Sequence, residues 1–76
     1  MRTVYMPYEI NEEFVVEVTY QGGSQLQARN DKLMDAVKEA EGMTAFGLTV
    51  DTRRILRNTK QTVKLDNSYR RVYELI

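Results

Sequence analysis

Between Glu13 and Tyr20 the side chains alternate in character. Phe14, Val16, Val18 and Tyr20 fall on one side, Val15, Glu17 and Thr19 on the other. A period of two predicts a strand with one inward face. Thr3 to Met6 predicts a shorter strand, and Pro7, which cannot donate to a ladder, puts its end at an edge or sheet boundary. Tyr8 to Glu13 then connects the two. The period changes in "NDKLMDAVKEAEG". At 100° per residue Leu33, Ala36, Val37 and Ala40 gather on one side with Met34 at its edge, and Asp31, Lys32, Asp35, Lys38 and Glu39 fill the other. The spacing predicts a helix over residues 31–41. Asn30 or Asp31 can cap its free N–H groups, and Gly42 supplies the left-handed residue that ends it.

Residues 21–30 admit two arrangements. "SQLQ" has the form of a capping box, which would start the helix near Gln25. The other is a hairpin in which "QGGS" turns the chain and "QLQAR" returns as a strand. The hairpin is preferred, because Asn30-Asp31 suits a helix interior poorly. After Gly42 the period returns to two. "TAFGLTV" puts Phe46, Leu48 and Val50 on one face, and "RRILR" and "QTVKL" flank a polar "NT" that suits a hairpin turn. "DNS" separates the last segment, "YRRVYELI". As a helix that segment has a tidy apolar stripe of Tyr69, Val72, Tyr73 and Ile76. Its arginines would then sit in the first turn and Glu74 in the last, against the helix dipole, and its β-branched and aromatic content favours a strand. Strand is the expectation.

The order of elements gives an α+β fold, one mainly antiparallel sheet with a single amphipathic helix packed on one face. If residues 24–29 joined the helix, the order hairpin, helix, strands would look like the β-grasp arrangement of ubiquitin-like folds. That likeness rests on element order and length. "YELI" offers no diglycine tail, so no ubiquitin-like activity comes with it.

Seventy-six residues make a single domain, 1–76. Apolar residues at 42% and charged residues at 29% are ordinary for a folded chain. A core this size supplies about 3–5 kcal/mol unaided, and with no cysteine or histidine neither a disulfide nor a zinc site adds to it. A partner or self-association as a homo-oligomer would. "MRTVYMPYEI" lacks the apolar core of a signal peptide, and no apolar run approaches the roughly 20 residues that cross a bilayer. The expectation is a cytoplasmic protein with no membrane partner; a viral protein in a host cytoplasm fits equally.

The same absences bear on chemistry. Without His or Cys the commonest general base and the strongest nucleophile are missing. Glu12 with Glu13 would alternate across a strand or lie in a loop, and Asp31 with Asp35 lies on the wet face of the helix. Ser24 and Ser68 sit in turn settings, Gly22-Gly23 lacks phosphate-loop spacing, and no EF-hand spacing occurs. No enzyme, cofactor or metal is expected.

Charge changes the picture more. The net charge is zero, but residues 1–42 carry four basic and eight acidic groups and residues 43–76 carry seven and three. All seven of the latter basic residues lie in Asp51–Ile76: Arg53, Arg54, Arg57, Lys60, Lys64, Arg70 and Arg71. Most are where the solvated side of a sheet needs charge, opposite the side the helix covers, and edge cations deter unwanted pairing. With Tyr69 and Tyr73 beside them they also make a candidate partner-binding surface. The chain has five tyrosines, Tyr5, Tyr8, Tyr20, Tyr69 and Tyr73, and four methionines, more tyrosine than so small a core needs. The leading expectation is a small binding protein acting through protein–protein contact, an inhibitor or adaptor of the kind phages make. The alternative is a nucleic-acid-binding module using the basic, Tyr-containing strands of residues 53–73, with rings for bases and cations for phosphates.

Overall fold

The computed structural model describes residues 2–42 and 47–76. They form strands β1 (Thr3–Pro7), β2 (Phe14–Tyr20) and β3 (Gln25–Asn30), helix α1 (Leu33–Gly42), and strands β4 (Val50–Leu65) and β5 (Ser68–Leu75). The sheet is antiparallel throughout with order β1-β5-β4-β2-β3. β1 is an edge strand ending at Pro7, as its proline requires. Residues 21–24 turn the β2–β3 hairpin through Gly23, whose φ of 92° needs a glycine. Residues 25–30 are therefore strand, and the condition for the β-grasp order is not met.

Several local expectations are corrected. The helix begins at Leu33, with the Asn30 side chain accepting the Lys32 N–H and the Asp31 carboxylate taken by the Glu13 N–H. Gly42 is a helical residue without positive φ; the left-handed glycines are Gly23 and Gly47. In the strand expected at residues 44–50, residues 44–46 lie outside the described residues, residues 47–49 are not strand, and β4 starts at Val50. "NT" is not a hairpin turn. "RRILR" and "QTVKL" belong to one 16-residue strand, interrupted by a bulge between Asn58 and Gln61. Asn58 stands opposite Tyr73 and Gln61 opposite Val72, so Thr59 and Lys60 are extra. The bulge bonds itself. The Asn58 side chain accepts the Lys60 N–H, the Thr59 hydroxyl donates to the Val72 carbonyl, and Lys60 takes a φ of 69°. The real turn is Asp66-Asn67, with φ of 49° and 64°, the mirror-image geometry that matches strand twist.

The sheet is covered on both faces. On one, α1 lays Ala36 and Ala40, both buried, with Val37 against Val16, Val18, Tyr20, Ala28, Leu26 and Ile55. On the other, the segment 8–13 crosses from β1 to β2 and presses Ile10 onto Met6, Val15, Leu56 and Tyr73, flanked by Val4 and Leu75. Neighbouring residues thus enter opposite cores: Val15 and Val16 are both 0% exposed. The segment 8–13 is tied down by its carbonyls. Arg71 donates to that of Tyr8, Asn58 to those of Asn11 and Glu13, and the Tyr73 hydroxyl to that of Glu12. This second core overturns the expectation of a wet face opposite the helix.

Candidate binding surface

The strands divide the basic residues between faces and between ends. Registers put Arg53, Arg57 and Arg70 on the face that carries α1, and Arg54, Lys64 and Arg71 on the other. Along the half of β4 that pairs with β2, and at the bulge, each cation finds a carboxylate. Arg53 is 3.9 Å from Glu41 on the helix, Arg54 is 2.5 Å from Glu17, and Lys60 is 2.6 Å from Glu13. The Arg57 Nε donates to Glu74 at 3.0 Å, and that hydrogen bond and charge raise its pKa further. Three of these four acids come from the acidic first half of the chain. The uneven charge along the sequence is therefore largely matched where β4 meets β2, the helix and the segment 8–13.

The Arg54 site is the most enclosed. The Glu17 side chain is 8% exposed and also accepts from the Gln27 amide at 2.9 Å, so both its oxygens are bonded. A carboxylate at that depth needs such partners.

The far end of the β4–β5 hairpin is different. Lys64 lies 6.0 Å from the centre of the Tyr69 ring, and Arg71 stacks 4.2 Å from the centre of the Tyr8 ring while its Nε holds the Tyr8 carbonyl at 2.8 Å. The two rings are 6.3 Å apart and tilted by 57°. Tyr8 and Tyr69 are 49% and 58% exposed, so the contacts order the rings without hiding them. Arg70 projects on the opposite face, where its Nη1 donates to the Tyr69 carbonyl at 3.5 Å.

Of the nine candidate residues the structure therefore brings together Lys64, Tyr69 and Arg71. Arg53, Arg54, Arg57 and Lys60 sit elsewhere in ion pairs. Tyr73 is core, 0% exposed, with its hydroxyl bonded to the Glu12 carbonyl. Burial first, and the negative charge of Glu12 next, raise its pKa. Tyr8 completes the cluster from 61 residues upstream of Tyr69, and its one sequence signal was the surplus of tyrosine.

A shallow apolar hollow of about 210 Å³ lies between Val18, Ala40, Val50 and Arg53, and a polar one of about 600 Å³ surrounds Arg57, Asn58 and Glu74. Among the described residues no three metal-ligating side chains converge, and no helix is long and apolar enough to cross a membrane. No protein-family model, no curated protein and no solved structure matches the chain.

Proposed function

We propose that the protein is a non-enzymatic binding module that takes a protein partner through the tyrosine–cation surface at the end of the β4–β5 hairpin. One observation carries this: Lys64 of β4 and Arg71 of β5 face exposed rings, where Arg53, Arg54, Arg57 and Lys60 face glutamates. Tyrosine and arginine are favoured at interfaces because they offer a large, stiff contact with a polar tip. Rings already ordered by cations lose less freedom when a partner arrives. An inhibitor or adaptor role in a cytoplasm, a host's if the protein is viral, is part of the same proposal.

Exposed rings beside cations also suit single-stranded nucleic acid, which is the second reading. Four of the seven cations of residues 51–76 are already matched by carboxylates, which weakens the electrostatic attraction that such binding draws on. The test is affinity capture from a nuclease-treated lysate, comparing the natural protein with Tyr8→Ala/Tyr69→Ala and with Arg53→Ala. The expected result is one stoichiometric protein retained by the natural chain and by Arg53→Ala and lost from the ring variant. Recovery of chaperones alone, or equal recovery by all three, would sink the proposal. Steeply salt-dependent oligonucleotide binding, lost in the ring variant, would put the second reading in its place. Sedimentation at two concentrations checks for self-association.

A further inference from the structure

The two neighbours of β4 cover different lengths of it. β2 stands opposite Val50 to Arg57, and β5 opposite Leu56 to Leu65. Beyond the bulge, Gln61–Leu65 therefore has a strand on one side only. In an antiparallel strand successive residues send their N–H and C=O groups to opposite sides. Asn58 still points toward β2, its N–H bonded to the Glu13 carbonyl at 2.8 Å. The bulge resets the alternation, and the two-residue turn fixes it from the other end by pairing Leu65 with Ser68. Gln61, Val63 and Leu65 then bond to β5, and Thr62 and Lys64 aim their backbone groups out of the sheet. Neither appears in any backbone hydrogen bond outside the strand pairs among the described residues.

We infer that this overhang is a docking edge for an acidic, extended segment of a partner protein, added in line with β2 as a further strand. The inference rests on the protein-binding reading and names the chemistry of the partner. Charge complementarity selects the occupant. From Thr52 to Leu65 the chain has no acidic residue, and Lys64, unlike the ion-paired Lys60, keeps its charge beside the open groups. A second copy fits poorly, because antiparallel self-pairing centred on Thr62 sets Lys60 against Lys64. The two faces ask for different residues. Thr62 and Lys64 share the face of Tyr69 and Arg71, so incoming carboxylates belong there; Val63 and Leu65 lie on the other, where Leu65 is 39% exposed and apolar residues belong. The occupant is thus a short segment alternating acidic and apolar. The Lys60–Glu13 pair closes the near end of the slot.

The probe is an acetylated, amidated octapeptide alternating glutamate and valine, with a lysine–valine octapeptide as control, titrated into the full chain and followed by amide NMR and hydrogen exchange. In the free protein the Thr62 and Lys64 N–H groups should exchange fast and those of Val63 and Leu65 slowly. The acidic peptide should protect Thr62 and Lys64, and the lysine peptide should not. Thr62→Pro removes one outward N–H and no rung of the β4–β5 ladder, so it should keep the fold and weaken the peptide about tenfold. Lys64→Glu should weaken it at least as much. Protection elsewhere, equal binding of both peptides, or undiminished binding by a folded Thr62→Pro would overturn the inference. Failure here together with loss of partner capture in Tyr8→Ala/Tyr69→Ala would remove the edge and leave the ring surface standing. Failure of the ring test with Thr62 and Lys64 protected by the acidic peptide would do the reverse.

Discussion

The two halves of β4 are one strand in two environments. Val50–Arg57 lies beside β2 with a core on either face, and its arginines are neutralised by glutamates from other elements. Gln61–Leu65 pairs with β5 alone, belongs to neither core cluster among the described residues, and carries a lysine that faces a ring. The first half organises the fold and its charges are spent on doing so. The second is held out from it by a bulge that bonds itself, and its polar groups and rings stay open to a partner. A run of like charges along one strand thus serves two purposes, and the counter-groups tell them apart.

The largest expected contrast comes from one deletion made at each end. Leu56 is 0% exposed between β2 and β5, and Leu56→Ala should cost about 2–5 kcal/mol. Leu65→Ala, at a site 39% exposed, should cost under about 1 kcal/mol. Urea unfolding measures both, and similar costs would mean that the overhang is packed after all. The charges give the next contrast. Arg54→Ala leaves the Glu17 carboxylate buried with only Gln27, a loss of about 3 kcal/mol. Glu17→Ala should cost less, because the Arg54 side chain is 39% exposed and can turn to water. Lys64→Ala should stay within about 0.5 kcal/mol. A double-mutant cycle on Glu17 and Arg54 should show a coupling well above that between Lys64 and Tyr69.

Alkali should find the first half through Tyr73. Its hydroxyl has a raised pKa in the fold, so above about pH 10 the unfolded chain loses its proton first. The unfolded state then binds fewer protons than the native one, and stability falls as pH rises. It is intact below the unfolded value. Tyr73→Phe should cost about 1 kcal/mol at neutral pH, from the lost bond to the Glu12 carbonyl, and should flatten the alkaline limb. Equal alkaline sensitivity with and without that hydroxyl would assign the limb to other groups.

The fold was legible in the sequence wherever local chemistry and tertiary packing agree. Helix spacing, the "QGGS" turn, the edge position of Pro7 and the strand character of Ser68–Leu75 are set by neighbouring residues. What was hidden depends on residues far apart. "NT" has turn composition, but Gln61–Leu65 and Leu56–Asn58 pair with the same strand, so the chain continues and Asn58 and Thr59 bond the bulge instead. Val15 looks outward from β2 by alternation, and Met6, Ile10, Leu56 and Tyr73, three of them from distant parts of the sheet and one from the crossing segment, bury it. Of the candidate surface, Lys64, Tyr69 and Arg71 were visible as a basic, aromatic run. That Arg53, Arg54, Arg57 and Lys60 are matched could not be seen, because their glutamates lie on other elements, between 12 and 47 positions away.

The smallest effect is the most local. Asp66-Asn67 makes a turn that wants positive φ at both central residues, and glycine suits the second of them best. Asn67→Gly should stabilise the hairpin by about 0.5 kcal/mol, the relief of a left-handed residue offset by added freedom in the unfolded chain. Exchange of the Val63 and Leu65 amides should slow, because these open with the hairpin and not with the whole sheet. Exchange of the Val16 and Leu56 amides, which needs global opening, should slow by the same factor but from a higher opening free energy. If the four amides open with the same free energy in the natural chain, the two halves of β4 unfold as one unit and the independence claimed for the overhang is lost.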